Sequence, residues 1–147
     1  MRGQALGSSS RTALRRRWAV VREVVAYIEN NFAERINLQD LADVADLSIF
    51  RLVTVFRNEI GVPPHRYLCH VRVRHAQTLL GRGVPPAIAA SEAGFFDQSH
   101  LSRHFKRICG ITPGQYVAQA RLSSDSSQAL SGPGRRVTSA VPLGAVA

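Results

Sequence analysis

The chain has 147 residues, 45% of them hydrophobic, and a formal net charge of +9 at pH 7, which suits one domain of ordinary size with a basic surface. No stretch approaches the ~20 apolar residues of a membrane span, and the N-terminus has charge without an apolar signal core. Cys69 and Cys109 stand in separate segments with no C-x-x-C partner, so membrane, exported and disulfide-scaffold classes are set aside and a cytoplasmic protein is expected.

In chain order, residues 1–17 (Gly3, Gly7, Ser8–Ser10, Arg15–Arg17) read as a flexible basic arm. A first helix is expected at 19–33, with Val21, Val24, Val25, Ile28 and Phe32 on one stripe and Trp18 anchoring its entry. Asn37 caps a second helix, with Asp40 in its first turn and Leu38, Leu41, Ala42 and Ala45 inward. Ser48 caps a third, whose inward set is Leu52, Val55 and Phe56 and whose stop is Gly61. Pro63-Pro64 open a fourth over 64–81, in which Cys69, Val73, Ala76 and Leu80 share a face. A fifth runs from Pro85 to Ala93 and ends at Gly94, a residue suited to a left-handed cap.

Asp97 caps a sixth, with Leu101, Phe105 and Ile108 inward and Gly110 as its stop. Thr112-Pro113 with Gln115 opens the last through a capping box. From Ser123 onward the helical period is lost, and 123–147 are expected to be a disordered tail. No β-type alternation of useful length occurs. The fold class is all-α, with the ordered domain at 18–122.

Within that domain the chain repeats itself. Leu52–Leu68 overlies Leu101–Val117 at an offset of 49, with identities at Leu52/Leu101, Phe56/Phe105, Gly61/Gly110, Pro64/Pro113 and Tyr67/Tyr116. Each copy is a short helix of small residues (Leu38–Ala45; Pro86–Ala93), a tight turn and a capped basic helix (Ser48–Ile60; Asp97–Cys109), the sequence image of a helix-turn-helix. Two equivalent units imply two equivalent surfaces for one repetitive partner, and duplex DNA is such a partner. Charge agrees: residues 51–122 hold ten basic residues against Glu59, Glu92 and Asp97, whereas 19–50 are net acidic. An Arg-rich soluble surface on a plain helical bundle is the alternative.

With the apolar positions inward, the sixth helix turns out Gln98, Ser99, Ser102, Arg103 and Lys106, and the third turns out Phe50, Arg51, Val53, Thr54 and Arg57. Gln98 suits adenine and Arg103 suits guanine. Arg57, Arg66, Arg72, Lys106 and Arg107 are assigned to phosphate or surface roles, although Arg72 equally suits a carboxylate or a helix end. His100 and His104 stand at i, i+4 with no third ligand in view, so the pair reads as structural or phosphate-facing and no metal or other cofactor is expected. No nucleophile, phosphate-cradling or paired-carboxylate motif supports an enzyme.

Val24 to Val117 resembles the DNA-binding region of the AraC/XylS family of bacterial transcription regulators. The resemblance lies in NLQDLADVADLS, LVTVFRNEIGVPPHRYL, RVRHAQTLL and, above all, AGFFDQSHLSRHFKRICGITPGQYV. It implies a homeodomain-like arrangement of seven helices: two helix-turn-helix units joined by one long central helix, with recognition helices in successive major grooves on one side of the duplex. The family's base-contacting positions fall on Gln98, Ser99 and Arg103, and on Phe50, Val53 and Thr54. The first unit is therefore expected to read thymine methyls and shape, with Arg51 as its polar reader.

Three departures stand out. Asp46 replaces a more usual turn Gly, Ile88 stands where a polar residue is typical, and Ala89 where a larger aliphatic is typical. Most family members carry a separate effector-binding domain before this region. Here about 18 residues precede the first helix, so a free-standing regulator or a truncated copy is expected. RNA polymerase is a further partner compatible with an activator. The rival class is a protein-interaction adaptor working through a full-length regulator or the polymerase.

Overall fold

Seven helices occupy residues 6–128, the part of the chain that the computed structural model describes, and no strand occurs among these residues. They are α1 (Leu6–Asn31), α2 (Leu38–Val44), α3 (Ile49–Ile60), α4 (Pro64–Gly81), α5 (Pro86–Glu92), α6 (Gln98–Cys109) and α7 (Pro113–Gln128). None of them is long and apolar enough to cross a membrane.

Side-chain caps start the helices where the polar residues stand in sequence. Asn37 Oδ1 accepts from the Asp40 amide (3.0 Å) and Asp40 Oδ2 accepts from the Asn37 amide (2.8 Å), a reciprocal box. Ser48 Oγ accepts from the Arg51 amide at 3.3 Å and Asp97 Oδ1 from the His100 amide at 2.6 Å. Thr112 and Gln115 form a second box at the start of α7. These bonds satisfy amides that have no partner inside their own helix.

Both chain ends depart from expectation. Helix α1 begins at Leu6, so residues 6–17, read as a flexible arm, are helical. Ala13, Leu14 and the arginines are good helix formers, and extending a helix already nucleated by packing is far easier than starting one. Trp18 consequently lies within a helix and is 47% exposed; it does not anchor an entry. At the other end α7 continues through 123–128, where the Ser123 and Ser124 hydroxyls donate to the Gln119 and Ala120 carbonyls (3.0 and 2.9 Å). The rest of the expected tail, 129–147, and residues 1–5 of the arm lie outside the described residues.

Two cores form, and α4 feeds both. The first gathers Val21, Val24 and Ile28 of α1, Leu41 and Ala42 of α2, Leu52, Val55 and Phe56 of α3, and Leu68 and Val71 of α4. The second gathers Val73, Ala76, Leu79 and Leu80 of α4, Ala89 and Ala90 of α5, and Leu101 and Phe105 of α6. The duplication repeats at the level of single contacts. Leu52 and Leu101, Phe56 and Phe105 are all fully buried. Phe56 meets Tyr67 edge-on at 5.7 Å and 70°, and Phe105 meets Tyr116 at 5.5 Å and 68°. In the two turns, the Leu47 amide donates to the Ala42 carbonyl (3.0 Å) and the Phe95 amide to the Ala90 carbonyl (2.9 Å).

The turn itself requires a left-handed residue, supplied by Asp46 (φ +50°) in the first unit and Gly94 (φ +79°) in the second. Asp tolerates this region better than most side chains, which explains how the first turn closes without glycine. Gly94 cannot be exchanged in the same way. A Cβ there would stand 2.7 Å from the Phe32 carbonyl oxygen and 2.9 Å from Ala33 Cα, so the second unit's turn lies directly against the end of α1.

Two left-handed glycines therefore differ in what a side chain would cost. At Gly110 (φ +78°) a Cβ would meet nothing within 4 Å, and Gly110→Ala is expected to cost roughly 1–2 kcal/mol from backbone conformation alone. Gly94→Ala should cost clearly more, because backbone must also move. Urea unfolding of the two variants measures the difference; equal losses would mean that the contact with α1 is not rigid.

Candidate nucleic-acid interface

Burial of Leu52, Val55 and Phe56 on α3 and of Leu101 and Phe105 on α6 fixes which way each helix is rotated. Gln98, Ser99, Arg103, Lys106 and Arg107 are then exposed on α6, with Ser102 half-buried. On α3, Phe50, Arg51, Thr54 and Arg57 are exposed and Val53 is half-buried. Arg66 is exposed in the first turn of α4. Among the described residues, neither these arginines nor Lys106 have a carboxylate partner; the ion pair that does form, Arg74 with Glu29 at 2.7 Å, lies between α4 and α1. The cations of the reading faces can thus meet an external anion.

The two faces differ chemically. On α6 the outward groups are amide, hydroxyl and guanidinium. On α3, Phe50 is 83% exposed, and the Thr54 hydroxyl donates to the Phe50 carbonyl at 2.8 Å, leaving its methyl as the outward group. One exposed aromatic is not evident from the sequence pattern. Phe96, 84% exposed, stands just before the cap of α6. Its neighbour Phe95 is buried against His100 and His104. In a turn this short, adjacent side chains diverge, and the pair Phe95-Phe96 is the one signal that a ring would face out.

His100 and His104 pack on each other with Nε2 atoms 3.1 Å apart, beneath the start of α6. Burial, followed by the neighbouring His100 and Arg107, holds His104 below the ordinary histidine value, so it is neutral at neutral pH and one ring nitrogen donates to the other. Among the described residues no group of three or more His, Cys, Asp or Glu is disposed to hold a metal ion. His65, Arg66 and His70 at the start of α4, with His104 and Arg107 of α6, line a groove of about 500 Å³ with no carboxylate in its lining. Arg66 and Arg107 are the cations of this groove.

Arg72 belongs elsewhere. Its Nε donates to the Phe32 carbonyl (2.7 Å) and its Nη2 to the Glu34 carbonyl (2.8 Å), so it ties α4 to the end of α1. Both carbonyls belong to the turn that follows Asn31, and a cation is favoured beside the C-terminal end of a helix. Of the two roles expected for it, phosphate contact and helix-end tie, these hydrogen bonds match the second. Glu29 adds a second tie between the same helices, accepting from Tyr67 Oη at 2.9 Å and from Arg74 Nη2 at 2.7 Å.

Paired units of this geometry, with one helix common to both cores, define an AraC-type DNA-binding domain. A family model described as a helix-turn-helix domain matches residues 41–119, and the chain belongs to that family. Over 81 residues it is 38% identical to the uncharacterized HTH-type transcriptional regulator YbfI of Bacillus subtilis, covering 55% of this chain and 30% of that protein. Over 108 residues it is 32% identical to the HTH-type transcriptional activator RhaS of Enterobacter sp. (strain 638), covering 72% and 38%. The chain thus spans about a third of the length of the curated relatives it matches.

Among solved structures, the DNA-binding domain of AdpA in complex with a target DNA superposes with a TM-score of 0.68 at 30% identity, over 71% of this chain and 96% of that one. A probable AraC family transcriptional regulator from Rhodopseudomonas palustris gives 0.63 at 28%, over 69% and 97%.

The tie that Arg72 makes has a measurable consequence. Arg72→Met should destabilise the fold by about 2–3 kcal/mol, since it removes charged hydrogen bonds and strands two carbonyls. It should leave the salt dependence of DNA binding unchanged. Chemical denaturation and salt titration separate the two effects; a flatter salt dependence at unchanged stability would return Arg72 to the phosphate-contacting set.

Proposed function

We propose that this chain is the DNA-reading part of a sequence-specific transcription regulator that acts in the cytoplasm by binding and not by catalysis. Its two recognition helices, α3 and α6, enter successive major grooves on one side of the duplex. The supporting observation is the exposure of equivalent faces on two duplicated helices that share one rigid connector. That connector, α4, has 18 residues, or ~27 Å of helix, and the units at its ends extend the span toward the ~34 Å that separates grooves one turn apart.

Gln98, Ser99 and Arg103 read base edges in the second half-site, Gln98 favouring adenine and Arg103 guanine. Phe50, Val53 and Thr54 read methyl groups and shape in the first, with Arg51 as the polar reader. The outward Thr54 methyl and the exposed Phe50 ring support that division. Arg57, Arg66, Lys106 and Arg107 hold phosphates and set register. The relatives named activators support recruitment of RNA polymerase as the consequence of binding.

Selection of bound sequences from a random duplex library at physiological salt tests this reading. A bipartite motif with half-sites about one turn apart is expected; absence of enrichment would favour an adaptor that works through another protein. On the selected duplex, Arg103→Ala should cost ~1–3 kcal/mol and relax preference at one base pair. Lys106→Ala should weaken all sequences alike and lower the salt slope by about 1. A steep, hydrogen-bond-like loss across first-half-site variants that Thr54→Ala leaves untouched would contradict the methyl-reading assignment.

A further inference from the structure

The N-terminal part of α1 packs into neither core. Residues 9–19 are exposed throughout, and the first fully buried residue of the helix is Val21. From Leu6 to Ala19 this projecting part of the helix is roughly 21 Å long. Its charge does not favour a helix in isolation. Arg15, Arg16 and Arg17 are consecutive in this segment, which holds no acidic residue, and all lie in the half nearer the helix N-terminus. Each of these features is unfavourable in the absence of an anion.

The projection also has a definite neighbour. It forms one wall of a broad groove whose other wall is the α2–α3 turn and the start of the first recognition helix. Arg16 and Arg17 line this groove on one side and Arg51 on the other, and Asp46 is the one carboxylate in the lining. Asp46 makes no ion pair among the described residues. Three positive charges border this groove against the single negative charge of Asp46, and an external anion would relieve their repulsion.

We infer that the α1 projection is a third DNA contact, a basic helix that lies along the phosphate backbone flanking the first half-site. The inference rests on the reading of α3 as a recognition helix, because Arg51 stands in the first turn of that helix and therefore at the edge of the groove it enters. Duplex phosphate is the occupant that charge favours: the segment offers cations at many orientations, since Arg15, Arg16 and Arg17 are consecutive and fan about 200° around the helix. The contact carries no sequence information of its own. It lengthens the site and raises affinity and salt dependence.

The test compares two duplexes carrying the selected motif, one ending at the first half-site and one extended there by about one helical turn of arbitrary sequence. The full chain should bind the extended duplex more tightly, with a salt slope steeper by roughly 2 to 3, one increment of ~0.9 per phosphate engaged. Replacing Arg15, Arg16 and Arg17 together by Gln, which preserves helix propensity, should abolish the difference between duplexes. Replacing them by Lys should keep it. Equal affinity and slope for the two duplexes in the unaltered protein would overturn the inference while leaving the bipartite motif intact. So would a gain that the Gln variant retains, or an affinity set by self-association of the chain through this helix. Failure to prefer the motif over scrambled DNA would overturn the regulator reading and this contact together.

Discussion

Everything about the proposed interface depends on the two units being held as one body, and a small set of groups at the end of α1 does this. Arg72 of the central helix donates to the Phe32 and Glu34 carbonyls, the Phe32 ring packs against His75 at 4.5 Å, and Gly94 brings the second turn onto the same stretch of backbone. The first unit's opening helix therefore touches both the connector and the second unit. Alone, α4 would join the units through a single helix that could bend or rotate; with α1 pinned across it, the angle between them is set. The proposed docking of both helices into grooves at a fixed spacing requires that constraint.

Around this junction the energetics are local and repeated. A Leu and a Phe one turn apart on each recognition helix drive the burial, each Phe fully enclosed and met edge-on by a Tyr of the following helix. Burying such side chains contributes about 1.5–3 kcal/mol apiece, enough to fix the rotation of a 12-residue helix. The polar face is then outward by geometry. The cations on that face make no ion pair among the described residues, and an external anion relieves their mutual repulsion. Stability and binding therefore draw on opposite sides of the same short helices, which lets the outward residues vary without disturbing the core.

The two reading faces have diverged within a common frame. Asp46 and Gly94 solve the same left-handed turn with different residues, and the difference follows from what surrounds each. The first turn is open, so a side chain fits; the second is pressed against α1, so none does. Likewise Phe50 and Thr54 give α3 an apolar outward character, whereas Gln98, Ser99 and Arg103 give α6 donors and acceptors. Such divergence suits a site whose two halves are not identical.

By itself the sequence determined the number of packed helices, their starts and stops from α2 to α6, the inward and outward sets, and the duplication. These rest on interactions between residues three to five apart, or on a periodic stripe, and such information is contained in the linear order. It misjudged both ends of the domain, because helix propagation outward from a packed segment is a cooperative effect that composition does not report. Only the tertiary structure decided the role of Arg72, the pressure on Gly94, the exposure of Phe96 and the groove beside the α1 projection. Each depends on which backbone lies across from it, 38 to 40 residues away for Arg72. A guanidinium aimed at a helix end and one aimed at a phosphate are indistinguishable until the chain has folded.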